Sequence, residues 1–232
     1  MAYTSFIGNG THFIGCSGRT VYVYDKDGRE LARFRDLPYA YFAKISPDGR
    51  TFVIKTTEGR MAVYSLETLE LIKKFRYSKI DGSQDDTFFF SPDGSELYSI
   101  ERHYTSYRSA LSVYDTSDYS LKKRLFAEDE FLEPNTAEFD PETDELYILF
   151  AVRGENGCVK EYFISTLDGD EPGERIYIPN DEAWDFAMYK DARDAGFTTD
   201  EKRLVTKASR YFFSDTDYSR ITLKILTESY RP

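Results

Sequence analysis

Few residues of this chain could do chemistry, and their spacing is poor for it. The two histidines, His12 and His103, stand far apart, as do the two cysteines, Cys16 and Cys158, and the one close pair, His12 and Cys16, has no further His or Cys nearby to complete a zinc set. The cysteines read as a pair of buried thiols. Asp25-Lys26-Asp27-Gly28 begins like a calcium loop, but its glycine comes at the fourth position instead of the sixth and Asp36 occupies the twelfth, so it reads as a hairpin turn. Neither a Gly-x-Ser-x-Gly elbow nor a phosphate-cradling glycine loop occurs. Three carboxylates, Asp86, Glu138 and Asp185, could flank a glycosidic bond, a reaction that needs two carboxyls roughly 5–10 Å apart. The inventory predicts no metal, no cofactor and no catalysis.

Other residues suit recognition. Asp81, Asp85, Asp86, Glu128, Asp129, Glu130, Glu133, Asp181 and Glu182 crowd three connecting segments against a lone Lys79, and Phe131 and Leu132 interrupt one of these runs. Such a composition attracts a basic partner segment. Arg102-His103-Tyr104-Thr105-Ser106-Tyr107-Arg108 mixes arginine with aromatics, the composition of interface centres. Trp184, the only tryptophan, stands beside Asp185 and could stack on a sugar or a peptide aromatic.

The elements that must position these residues show up as a repeat. Ile45-Ser46-Pro47-Asp48-Gly49 recurs as Phe90-Ser91-Pro92-Asp93-Gly94 and more loosely as Phe139-Asp140-Pro141-Glu142-Thr143, with degenerate copies at Phe6-Ile7-Gly8-Asn9-Gly10 and Met188-Tyr189-Lys190-Asp191-Ala192. The spacings are 39, 45, 49 and 49 residues. Proline fixes φ and Asp-Gly supplies the turn, so each copy reads as a strand running into a hairpin. A second column, Val21-Tyr22-Val23-Tyr24-Asp25, Met61-Ala62-Val63-Tyr64-Ser65 and Leu111-Ser112-Val113-Tyr114-Asp115, alternates apolar residues at strand period and continues at Tyr162 and Phe213. Downstream strands are predicted over 30–35, 69–76, 120–126, 174–178 and 219–226. Each copy thus makes four antiparallel strands, a to d, in five units near 2–36, 37–77, 84–127, 133–179 and 181–227. In the last unit, residues 180–196 alternatively form a short capped helix ahead of a hairpin at Phe197-Thr198-Thr199-Asp200.

A four-stranded unit at this period cannot bury both faces alone and must stack on neighbours. The pattern resembles the WD-repeat and related Ser-Pro-Asp-Gly β-propellers over nearly the full length. It departs from WD repeats in having Tyr24-Asp25, Tyr64-Ser65, Tyr114-Asp115 and Tyr162-Phe163 where they end a strand in Trp-Asp. The resemblance implies an all-β fold, a single five-bladed β-propeller. The a–b and c–d turns lie on one face and are mostly short. The b–c and d–a connections on the other face are longer, near 77–86, 102–109, 127–135 and 153–157, and are expected to carry the function. At their axial mouth the repeat superposes Tyr41, Asp86, Asn135 and Trp184.

The bulk composition fits. The 232 residues carry 30 basic against 41 acidic side chains, a net charge of −11, which argues against nucleic acid or an anionic membrane. No signal-peptide pattern opens the chain and the longest apolar run, near 146–152, is strand-sized, so a cytoplasmic location is expected. The first and last units look complete, so the ring closes by side-chain packing and predicts a monomer or weak dimer. The functional expectation is a non-catalytic interaction scaffold. It binds a protein with a basic segment through Tyr41, Asp85, Asp86, Arg102, Tyr104, Tyr107, Glu130, Phe131, Asn135, Trp184 and Asp185. The alternative is a small-molecule or glycan binder, glycoside hydrolase-like at its furthest, working at the axial mouth.

Overall fold

The computed structural model describes residues 3–76, 88–102, 109–196 and 221–231. Its first sheet is β1 (Ser5–Gly8), β2 (His12–Ser17), β3 (Thr20–Asp25) and β4 (Glu30–Phe34), each strand antiparallel to the next. The second repeats this order with β5 (Ala40–Ile45), β6 (Thr51–Thr56), β7 (Arg60–Ser65) and β8 (Leu71–Arg76). The third has β9 (Phe88–Phe90), β10 (Glu96–Arg102), β11 (Ser109–Asp115) and β12 (Leu121–Leu125). In the fourth, β13 (Leu132–Phe139), β14 (Leu146–Arg153) and β15 (Val159–Asp168) are followed by a split last strand, β16 (Glu171–Pro172) and β17 (Ile176–Ile178), both on β15. Two helices complete the described chain, α1 (Asn180–Asp194) and α2 (Leu223–Tyr230).

The repeat columns coincide in space because their turns are chemically the same. The Ser46 amide bonds the Thr51 carbonyl and that of Gly49 bonds Ser46, at 2.9 and 2.8 Å; the Ser91 turn matches it at 2.9 Å for both bonds. Ser46 Oγ donates to Asp48 at 2.6 Å and Ser91 Oγ to Asp93 at 2.7 Å. Gly49 and Gly94 sit at φ of +70° and +74°, where a side chain is strained. In the third copy Asp140 replaces the serine and accepts from Thr143, and Asp144 takes the left-handed position at φ +57°.

Neighbouring sheets bury their faces against one another. Ile14, Val21 and Val23 of the first sheet pack on Phe52, Ile54 and Tyr64 of the second, where the rings of Phe52 and Tyr64 stack at 5.1 Å. Met61 and Val63 meet Leu97 and Tyr114, and Ile100 and Leu111 meet Ile148 and Phe150. Each fully buried side chain of this size contributes about 1.5–3 kcal/mol. The far face of the first sheet carries Tyr3, Phe6, Phe13, Tyr22 and Tyr24 in mutual ring contact. Gly15 makes room for them, since a Cβ there would lie 2.5 Å from the Tyr3 ring.

Beyond the fourth sheet the structure corrects the strands expected in the last unit. Residues 180–194 are helical, as the alternative had it, and not the strand-and-turn read at Met188-Tyr189-Lys190-Asp191-Ala192. Ala183, Phe186, Tyr189 and Ala192 recur every third residue and bury on Leu149, Ala151 and Ile164, with Asp181 and Glu182 favourably placed in the first turn. The strand expected over 219–226 is likewise overturned: residues 223–230 form α2, whose Thr222 side chain caps the Ile225 amide at 3.2 Å. The expected strand around Phe213 lies outside the described residues. Four sheets of the propeller type are established, and α1 and α2 cover the free face of the fourth.

The last turn of α1 reaches the first strands of the sheets. The Phe6 amide of β1 bonds the Ala195 carbonyl at 2.7 Å, Lys44 of β5 pairs with Asp194 at 3.5 Å, Ala195 is buried with Phe42 and Phe88, and Arg193 bonds Glu138 of β13 at 2.6 Å. Gly196 then ends the helix at φ +84°, where a Cβ would collide with the Phe6 carbonyl. Strand a is therefore innermost in every sheet, around the end of α1. Cys16 is buried, which pushes its thiol up to about 12, whereas Cys158 is exposed, contrary to the expected buried pair.

Candidate functional site

On the b–c/d–a face, the connection from β12 to β13 is built around two side chains. Asp129 Oδ1 accepts the amides of Phe131 and Leu132, each at 2.8 Å, folding the acidic run into a compact turn. The Phe131 carbonyl accepts the Arg153 amide at 2.7 Å from the end of β14. Both backbone groups of Phe131 are thus spent, while its ring is 48% exposed among the exposed acids Glu128, Asp129 and Glu130. Across the same face Tyr39 is 50% exposed at φ +55°, with the Arg19 guanidinium 6.0 Å from its ring.

Beneath this loop lies an ion cluster. Arg153 Nε donates to Glu133 Oε2 at 2.5 Å and its Nη1 to the Gly157 carbonyl at 2.6 Å. Arg102 Nε is 3.0 Å from Glu133 Oε1, close enough to pair but not aligned for a hydrogen bond. Glu133 is buried, so it is not part of the acidic rim to which its position in the sequence assigned it. Tyr162 stands beside the three charges, and burial pushes its phenol up.

Tyr41 and Asn135 hold equivalent positions, as their superposition in the repeat predicts. Each is the residue skipped at a β-bulge in strand a, between Ala40 and Phe42 in β5 and between Pro134 and Thr136 in β13. A bulge re-aims the side chain it carries. The Tyr41 carbonyl accepts Thr4 Oγ1 at 2.9 Å, which ties the first two sheets together. Trp184 and Asp185 belong to α1 instead of an inner strand, and Trp184 is 51% exposed. Asp85, Asp86, Tyr104 and Tyr107 lie outside the described residues. Sequence reasoning missed Tyr39 and Arg153. Tyr39 had a signal in Leu37-Pro38-Tyr39, a proline turn ahead of a strand; Arg153, at the end of an apolar strand, had none.

At the opposite, a–b turn end, Glu138 is wholly used in structure. It accepts from Arg193 at 2.6 Å and from the Leu223 amide at 2.7 Å, clamping the end of α1 and the start of α2 to β13. Asp194 is held between Lys190 at 2.5 Å and Lys44 at 3.5 Å. Burial alone would raise its carboxyl, but the two lysines outweigh that and bring it down to about 2. Burial lowers Lys44. Among the described residues no group of three or more His, Cys, Asp or Glu could hold a metal, and no helix is long and apolar enough to cross a membrane.

Neither a family model nor a curated protein matches this sequence. Solved structures do. The Neurospora crassa Pan2 WD40 domain is similar with a TM-score of 0.53 at 12% identity, over 76% of this chain and 52% of that one. KlHsv2 with loop 6CD replaced by a Gly-Ser linker is similar with a TM-score of 0.50 at 12% identity, over 70% of this chain and 57% of that one. This chain spans only about half the length of these two structures. At such identity the likeness concerns the fold: antiparallel four-stranded sheets arranged as in a WD40 domain.

Proposed function

We propose that the chain is a non-catalytic protein-interaction scaffold that captures a basic partner segment on its b–c/d–a face, in the cytoplasm and as a monomer or weak dimer. The reading keeps five positions around the axis, with the α1–α2 region in the fifth. The observation that carries it is Phe131, a half-exposed aromatic whose loop is already fixed by Asp129 and Arg153 and whose neighbours are acidic. A rigid aromatic anchor costs little entropy on binding, and a ring of like charge steers an oppositely charged partner toward it.

The test is a pull-down followed by affinity measurement on the captured partner. Phe131→Ala is expected to weaken binding about tenfold or more. Glu128→Lys with Glu130→Lys is expected to slow association and to remove most of the salt dependence, and it leaves the loop-forming Asp129 in place. Unchanged capture by both variants would sink the assignment to this face.

A further inference from the structure

The axial end formed by the a–b turns holds a pocket of about 470 Å³, a volume suited to a small ligand. Phe89, Phe90, Phe139, Pro47, Pro92 and Pro141 wall it, and Lys190 and Asp194 of α1 reach into it. Lys190 is only 3% exposed, yet among the described residues its ammonium meets one partner, Asp194, at 2.5 Å. An ammonium carries three donors, so two are left over in a buried place where unmet donors are costly. Around the end of α1, Lys44, Lys190 and Arg193 are matched by Asp191, Asp194 and Glu138, so it is the unmet donors of Lys190 that call for an acceptor. The other acid lining the pocket, Asp144, is exposed at its rim.

We propose that this pocket binds a small aromatic carboxylate, with its ring against the phenylalanine and proline wall and its carboxylate on the spare donors of Lys190. A carboxylate satisfies the ammonium with charge-assisted bonds, a neutral amide offers a weaker acceptor, and an ammonium ligand brings no acceptor at all. The site lies at the other end of the axis from the Phe131 face, and the two proposals stand or fall separately.

Calorimetric titration of the full chain with phenylacetate, phenylacetamide and phenethylamine tests it. Phenylacetate is expected to bind saturably at one site, with the amide and the amine at least about tenfold weaker. Lys190→Gln is expected to lower phenylacetate affinity about tenfold or more. Asp144→Asn removes a repelling charge at a left-handed position that asparagine tolerates, and is expected to raise affinity about two- to threefold. Should Lys190→Gln not fold, the acid-to-amide ratio on the unaltered protein and the Asp144→Asn variant decide. Absence of binding at about 5 mM phenylacetate, equal affinity for acid and amide, or a folded Lys190→Gln with unchanged affinity would each overturn the proposal.

Discussion

Asp194 shows how one residue can tie stability to pH. Its carboxyl is held down to about 2 by Lys190 and Lys44, against an ordinary value of 3.8. A depressed carboxylate pKa means that its contribution is complete above pH 3.8 and disappears as pH falls toward 2. Urea unfolding between pH 5 and 2 is expected to show a loss of roughly 2 kcal/mol from this group, with a flatter profile in Asp194→Asn. An unchanged profile in that variant would show that other carboxylates carry the dependence. Glu133 makes a second case. Arg153→Met removes its closest cation and leaves a buried carboxylate facing Arg102 alone, so unfolding free energy is expected to fall by roughly 3 kcal/mol. Binding is expected to suffer as well, because Arg153 also holds the Phe131 loop.

Element by element, strands and turns were legible where local chemistry decides them. Ser-Pro-Asp-Gly writes its own turn through the Ser–Asp hydrogen bond and a left-handed glycine, so those hairpins could be read without any tertiary information. Helix α1 was harder. Its apolar residues recur at near-helical spacing, but Met188 to Ala192 also fits a degenerate repeat, and only packing on β14 and β15 selects the helix. The outer strands follow a different rule. β8 and β12 form the sheet edges, and their charged Lys73, Lys74, Lys122 and Lys123 oppose edge-to-edge pairing with another molecule. Lys122→Val with Lys123→Val is expected to convert a light-scattering profile independent of concentration into one that rises with it. A profile that stays flat would mean the edge is protected by its twist alone.

For the whole molecule, the radial arrangement was legible because a four-stranded unit at this period must stack on neighbours to bury two faces, and the WD40 likeness agrees with it. The face proposed to bind a partner was legible only in part. Loop length pointed to it, and the Tyr41–Asn135 equivalence followed from the repeat register. The burial of Glu133 depends on Arg102 of β10 and Arg153 of β14, 31 residues before it and 20 after it, which no local pattern encodes. The most direct test of the account is hydrogen–deuterium exchange on the chain with and without its captured partner. Protection is expected in residues 126–132 and 37–41, with none in the turns at 46–51 and 91–96. Protection confined to those turns, with the Phe131 loop unchanged, would contradict it.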